Sequence, residues 1–271
     1  MPTVPPESAH TPIHQARQTA ESFGSDPERY DRTRPRYPDD LVARIVGASP
    51  GPEILDVGCG TGIAARQFQA AGCQVLGVDP DARMADFARQ RGLDAEVATF
   101  ETWNDAGRQV DAIVAGMAWH WVDPIAGAGK AARVLRPGGL LAPFWYVFEP
   151  PTELGQAFTQ VYQRVLPNSP FSGGPPMPGL ARYSVIFDKA TDGMRQAGVF
   201  SEAEQWRFDW ERPYTKDEWL DMVPTAGGHS QLPDGQLDEL LAGIGAAVDK
   251  AGGGFTMHYT AIVVAARARH T

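Results

Sequence analysis

One stretch of ten residues constrains this chain more than any other: Glu53-Ile54-Leu55-Asp56-Val57-Gly58-Cys59-Gly60-Thr61-Gly62. Ile54 to Val57 is a short apolar run, partly β-branched, entered from the turn signal Pro50-Gly51-Pro52. That is the pattern of a buried parallel strand. Gly58, Gly60 and Gly62 follow at alternate positions. Lacking Cβ atoms, they let the backbone turn tightly and approach a ligand closely. Ile63 to Ala71 then reads as a helix stopped by Gly72.

Dinucleotide-binding folds also place a Gly-rich turn between strand and helix. Two details differ here. Asp56 sits inside the strand end, where a carboxylate can reach an amino-acid ammonium or the ribose side of a ligand. The spacing is G-x-G-x-G, not the G-x-G-x-x-G that cradles a pyrophosphate. The stretch closely resembles motif I of the class I S-adenosylmethionine-dependent methyltransferases. The remaining readings are a nucleotide-binding turn or a merely structural one.

Length and composition bound the rest. The 271 residues suffice for one large α/β domain with inserts, and 43% hydrophobic with 21% charged residues is ordinary for a globular chain. The net charge of -9 argues against a broad nucleic-acid or anionic-membrane footprint. Cys59 and Cys73 form neither a disulfide framework nor a metal spacing, and they fit a reducing cytoplasm. No signal peptide is visible, and no apolar run approaches the ~20 residues of a membrane span.

Residues 1–21 read as a mobile tail, Pro-rich at first. His10 and His14 have helical spacing, but Pro12 between them breaks the helix that would make a metal pair, so no metal is expected. Residues 22–271 read as a single domain. Ser22 to Pro38 is crowded with Arg and Tyr and reads either as a solvated connector or as a lid over a ligand. Tyr30, Arg34 and Tyr37 resemble the Y-x3-R-P-x-Y-P segment that precedes motif I in many small-molecule methyltransferases. That resemblance implies a lid over residues 22–38, folded on the cofactor's methionine end, with Arg34 pairing the carboxylate.

Gln74 to Asp79 is a second buried strand ending in an acid, roughly 20 residues after the glycine turn, where a carboxylate can accept ribose hydroxyls. Pro80 and Asp81 open a helix over Ala82 to Arg91. Met84, on its first turn, either packs on an adenine face or is plain core. Ala95 to Phe100 is a weaker strand. Glu101 resembles the acid that follows the third strand in the family, which implies adenine contacts near Thr99 and Phe100. Val110 to Gly116 is the fourth strand, running into Met117-Ala118-Trp119-His120-Trp121. In the family this place lies under the sulfonium, and A-W-H-W resembles a subgroup that includes trans-aconitate-type methyltransferases. His120 reads as a base, a substrate ligand or a structural histidine. Pro124 to Leu135 is a helix, and L-R-P-G-G-x-L turns into a fifth strand over Leu140 to Tyr146, again resembling the family.

Beyond it, Thr152 to Leu166 reads as a helix, Pro167 to Gly179 as a Pro/Gly loop and Asp188 to Ala197 as a helix. Ala203 to Trp210 alternates as a half-buried strand. Lys216 to Val223 and Asp234 to Lys250 are helices, and His258 to Ala266 is the last strand. The expected fold is α/β and Rossmann-like: a seven-stranded mixed sheet, its last strand antiparallel, with helices on both faces and a helical lid. Residues 148–198 and 214–253 are the inserts expected to form an acceptor cap.

The resemblance implies S-adenosyl-L-methionine as cofactor. Its expected contacts are Tyr30, Arg34, Asp56, Gly58, Gly60, Thr61, Gly62, Asp79, Pro80, Met84, Thr99, Phe100, Glu101, Gly116, Met117 and Ala118. Methyl transfer from a sulfonium is an in-line displacement that disperses charge, so alignment and exclusion of water are the main tasks. The acceptor is expected to be an aromatic or apolar small molecule, such as an indole-type secondary metabolite, met by Phe23, Trp119, His120, Trp145, Tyr183 and His229. Phe171 belongs to the same aromatic set. Lys and Arg are sparse in the inserts (Arg164, Arg182, Lys189, Arg195), which disfavours the tricarboxylate of a trans-aconitate-type carboxyl methylation. His229, in the turn T-A-G-G-H-S, is the expected base or else a loop-surface histidine, and Tyr30 could relay its proton. Terminal His270 has a weaker claim. An NAD-dependent oxidoreductase and a catalytically silent cofactor-binding protein are the competing classes. Nucleic acid and membrane partners are not expected; a monomer or homodimer is.

Overall fold

The computed structural model describes residues 22–167 and 179–269, with the side chains of Arg182 and Asp234 left aside. The expectations for the tail with His10 and His14, for most of the Pro/Gly loop with Phe171, for the Arg182 side chain and for His270 lie outside the described residues.

The strands are β1 (Glu53–Val57), β2 (Gln74–Asp79), β3 (Asp94–Val97), β4 (Val110–Gly116), β5 (Leu135–Glu149), β6 (Glu204–Thr215) and β7 (Gly254–Arg267). They form one sheet in the order β3-β2-β1-β4-β5-β7-β6. β1 to β5 pair in parallel, and the last strands are antiparallel. The helices are α1 (Pro27–Thr33), α2 (Asp39–Ala48), α3 (Ile63–Ala70), α4 (Ala82–Gln90), α5 (Pro124–Val134), α6 (Thr152–Val165), α7 (Gly179–Ala197), α8 (Lys216–Met222) and α9 (Asp234–Lys250). This is the seven-stranded mixed α/β sheet expected from the sequence. Strand order reverses between β1 and β4. In an open parallel sheet that is the point outside the strand carboxyl ends where ligands bind.

The chain divides into two compact units. One comprises Pro35–Tyr146, Ser184–Phe208 and Ala261–Thr271. Its core is apolar on β1, β4 and β5, where Ile54, Leu55, Ile113, Val114, Leu141 and Phe144 are buried, as are Phe68 of α3, 6.4 Å from Phe144, and Leu41 and Ile45 of α2. Burial on both sheet faces explains why these strands read as continuous apolar runs. Asp123 caps α5 by accepting from the amides of Ile125 and Ala126, with Pro124 opening the helix.

The other unit comprises Met1–Arg34, Val147–Tyr183 and Asp209–Thr260. Its centre is aromatic: Trp219 on α8 stacks on Phe158 at 5.9 Å and meets Tyr214 and Phe255, each at 5.3 Å. Helix α9 packs on α6 and α8. Asp221 on α8 receives Arg29 at 2.9 Å and Arg32 at 2.7 Å from α1. Ser184–Ala197, the end of the first insert, falls in the sheet-bearing unit, as do residues 35–38.

Most elements lie where the sequence reading puts them, within a residue or two. Three differ more. α7 begins at Gly179 rather than Asp188, because Leu180, Tyr183, Ile186 and Phe187 continue its apolar face behind the Pro/Gly signal. β5 begins at Leu135, and the Arg136-Pro137-Gly138-Gly139 turn is a register shift inside it: Val110 pairs Leu135, and Ala112 pairs Leu140. Arg136 holds that irregularity through ion pairs to Glu53 and, at 2.8 Å, Asp111. β6 runs on to Thr215, which closes a capping box with Glu218. No helix among the described residues is long and apolar enough to cross a membrane.

Candidate functional site

The glycine turn takes the conformation its composition demands. Gly58, Gly60 and Gly62 have φ of +66, +53 and +84°, in the left-handed region that side chains avoid. They differ in what surrounds them. A Cβ on Gly58 would stand 2.4 Å from that of Ala118, so the turn presses against the chain leaving β4. A Cβ on Gly60 would meet no protein atom within 4 Å. Gly62 leads into α3.

Two acids flank the turn. Asp79 Oδ2 accepts from the Gly60 amide at 2.8 Å, and Oδ1 accepts from the Asp81 amide at 2.9 Å. Burial pushes its pKa up to about 6 even though both amides oppose the shift. Asp56 is buried more tightly, and neither of its oxygens has a hydrogen-bond partner of good geometry. Burial first, and then the charge of Asp79, raise its pKa to about 8, with the Ala65 amide offsetting a smaller part. Thr61 Oγ1 is also buried without a partner among the described residues. Buried polar atoms normally find partners. Two acid oxygens and a hydroxyl left over beside an open glycine therefore have the makings of a receptor for a polar, cationic ligand.

The remaining cofactor candidates in this unit sit around the same strand ends. Pro80 follows Asp79, and Met84 is buried on the first turn of α4. Thr99 bonds Thr102 through their hydroxyls at 2.8 Å, and Phe100 is buried 5.8 Å from Trp119. Glu101 Oε1 accepts from the Asp123 amide at 2.8 Å, a hold on the start of α5. Lys130, unremarked in the sequence, is buried beneath these rings; its ammonium donates to the carbonyls of Glu101 and Trp103 and lies 5.6 Å from the Phe100 and Trp103 ring centres. Burial pulls its pKa down.

After Gly116 the chain is strained. Met117 has φ +57°, rare for a side-chain-bearing residue, and is held by its amide to the Phe144 carbonyl at 2.8 Å. Tyr37 Oη would stand 2.7 Å from a Cβ on Gly116. Trp119 is buried with its indole nitrogen unpartnered. His120 Nδ1 lies 3.1 Å from the indole nitrogen of Trp145, which packs on Phe187 at 5.6 Å. His120 is half-buried, yet its Nε2 is sealed from solvent and has no partner among the described residues. Burial pushes its pKa down to about 3.

The other candidates lie in the second unit. Phe23 meets Tyr30 edge-on at 6.1 Å, and the Arg34 guanidinium lies 4.6 Å from the Tyr30 ring centre. Arg34 is buried and donates to the Thr225 carbonyl at 2.5 Å. Tyr183 is buried on α7. His229 is buried too, so the loop-surface alternative is overturned. Its Nδ1 lies 2.7 Å from the Val223 carbonyl, which places the proton there, and Nε2 lies 3.4 Å from Tyr162 Oη. Burial, and secondarily the charge of Arg34, lower its pKa; the Val223 carbonyl opposes them. Tyr162 was missed by sequence reasoning because it is one of several apolar-face residues on α6 and lies 67 residues away.

Residues 55–142 match a family model described as a methyltransferase domain. An uncharacterized methyltransferase of Mycobacterium tuberculosis is 39% identical over 127 residues, 46% of this chain and 51% of that protein. A malonyl-[acyl-carrier protein] O-methyltransferase of Pectobacterium atrosepticum is 31% identical over 163 residues, 55% of this chain and 63% of that one. The chain thus spans between half and two thirds of the length of these curated relatives. Among solved structures, a protein described as a type II methyltransferase from Anaeromyxobacter dehalogenans superposes with a TM-score of 0.62 at 25% identity, over 88% of this chain and 99% of that one. Residues 55–142 thus match a methyltransferase domain, and the chain has the Rossmann-like fold seen in methyltransferases.

Proposed function

We propose that the chain is an S-adenosyl-L-methionine-dependent methyltransferase acting on an aromatic or otherwise apolar small molecule. The observation that carries the cofactor reading is Asp56: a buried acid with no good partner at the mouth of a glycine turn, inside the matched domain. The bound cofactor would supply a sulfonium methyl group and leave as S-adenosyl-L-homocysteine. Asp56 would receive its ammonium, Asp79 its ribose, and the open face of Gly60 would let it approach the backbone. Met84, Phe100 and the Thr99–Glu101 segment would line the base. Gly116 to Ala118 would lie beside the sulfonium.

On the acceptor side, we propose His229 as the proton acceptor. The Val223 carbonyl fixes the proton on Nδ1 and leaves the Nε2 lone pair towards a hydroxyl, that of Tyr162. The lowered pKa keeps the ring neutral at pH 7. The Tyr162 hydroxyl lies 3.4 Å from Nε2, and Tyr30 stays the proposed relay.

A second reading is methylation of an acid oxygen, as the trans-aconitate-like A-W-H-W segment suggests. It is supported by the relative that is an O-methyltransferase of malonyl-[acyl-carrier protein]. A place in the cytoplasm and in secondary metabolism completes the proposal, and the buried free thiols Cys59 and Cys73 accord with a reducing compartment.

Equilibrium dialysis against S-adenosyl-L-methionine and NAD, followed by transfer of a labelled methyl group to a panel of aromatic and carboxylic acceptors, tests this. Binding and transfer support the reading. Binding of NAD alone would replace it with an oxidoreductase.

A further inference from the structure

His120 and Trp145 carry information that neither residue carries alone. An indole nitrogen is only ever a donor. Its approach to His120 Nδ1 at 3.1 Å therefore makes Nδ1 the acceptor and puts the single proton of the neutral ring on Nε2. Protonating Nδ1 would turn it towards another N–H, so this contact opposes the imidazolium, and burial acts in the same direction. A neutral ring of this kind is no general base at Nε2; it is a donor there.

That donor is unsatisfied. Nε2 is buried and no described residue accepts from it. Leaving such a group unpaired costs about 1–3 kcal/mol, so it requires a reason. Its position supplies one. His120 lies three residues after strained Met117, and the intervening Ala118 presses on Gly58 of the glycine turn. The segment thus stands at the carboxyl end of β4, at the point where strand order reverses.

We infer that Trp145 locks His120 as a neutral Nε2–H donor and that this donor recognises a hydrogen-bond-accepting oxygen, carbonyl or carboxylate, on the methyl acceptor. The inference rests on the methyltransferase reading and narrows it: an acceptor with a purely hydrocarbon face towards His120 leaves the donor unpaired and is disfavoured. Trp145 is a positioning residue that acts through His120.

The test uses the full chain labelled with 15N in its histidine rings and saturated with S-adenosyl-L-homocysteine. Benzoate and toluene are the probes, matched in ring and differing in the oxygen acceptor. The His120 signals are assigned by difference with His120→Gln. The expected spectrum is that of the Nε2–H tautomer. Benzoate should move the Nε2 resonance and toluene should not. Trp145→Phe should scramble the tautomer and weaken benzoate binding several-fold. His120→Gln, which keeps an N–H donor, should retain part of the preference for benzoate that His120→Phe loses. An Nδ1–H tautomer in the wild type, or equal responses to the two probes, would overturn the inference, and these readouts stand even if Trp145→Phe does not fold. Calorimetry with S-adenosyl-L-homocysteine separates the two levels. If it binds and His120 ignores benzoate, only this inference falls; if it does not bind, the methyltransferase reading falls with it.

Discussion

Asp56 and Asp79 are buried acids on neighbouring parallel strands, and the charge of Asp79 opposes ionisation of Asp56. Asp79 is held by two amides, whereas Asp56 lacks a partner of good geometry. The pair is thus built to hold a proton until something cationic replaces it.

The pH dependence follows in sign. With pKa values raised from 3.8 to about 8 and about 6, the folded chain binds these protons more tightly than the unfolded chain does. Their stabilisation is full below the ordinary carboxyl value and is lost as pH rises through about 6 and then about 8. Melting of the cofactor-free protein should therefore fall across that window, and Asp56→Asn should flatten the fall. Binding of a cofactor ammonium needs Asp56 ionised. Affinity should rise with pH up to about 8, by at most about tenfold per unit, with a proton released. Calorimetry in buffers of different ionisation enthalpy measures the proton. Absence of release at pH 7 in the wild type would remove the ammonium from Asp56.

In the proposed reading, Asp79 has a double task. Its oxygens hold the Gly60 and Asp81 amides, so the turn is set before any ribose arrives. Asp79→Ala should cost about 1–3 kcal/mol of cofactor affinity and a similar amount of stability, because two amides lose their acceptor. Asp79→Asn keeps one acceptor oxygen and should recover part of both. Unchanged affinity in a folded Asp79→Ala variant would take the residue out of the site.

The glycines separate structure from binding. At Gly60 the cost of a side chain is the left-handed backbone, about 1–2 kcal/mol, and no described atom lies within 4 Å of an added Cβ. Gly60→Val should keep the fold by circular dichroism and lose cofactor binding. Gly58→Ala collides with Ala118, so it should lower stability, and Ala118→Gly should relieve part of the loss. Retained binding in Gly60→Val would make the turn structural only.

Much of this was legible in the sequence because it is local. Strand, glycine turn and helix lie in one continuous run, and Asp79 lies 19 residues from Gly60, the amide it accepts. What was hidden depends on residues brought together from afar. Trp145 reaches His120 across the β4–β5 pairing, and Tyr162 reaches His229 from another helix. Neither contact leaves a spacing to read. The start of α7 was masked by Pro and Gly, which mark a break in local conformation but say nothing of where the next apolar face begins. The turn at Arg136 to Gly139 was visible, but its absorption into β5 rests on ion pairs to Glu53 and Asp111.

In the proposed reading, His229 decides how the acceptor is activated. Its ring is buried, stacked 5.7 Å from Tyr162, with Nδ1 on the Val223 carbonyl. Removing it deletes a buried ring together with its bond to the Val223 carbonyl, so His229→Ala should lower stability by about 1–3 kcal/mol whether or not the residue is a base. The kinetic readout is separate. If Nε2 accepts the proton, kcat should fall about 10²- to 10⁴-fold while cofactor affinity stays near wild type. Because burial depresses the pKa, the neutral form is favoured by folding. The stability it contributes is full above the ordinary histidine value and is lost as pH falls through the lower folded value. The acid limb of the wild-type rate should therefore lie below the ordinary histidine range and be absent from His229→Gln, which can keep a hydrogen bond but cannot take the proton. A His229→Gln enzyme with wild-type kcat and the same limb would leave His229 as an anchor of its turn and catalysis to alignment alone.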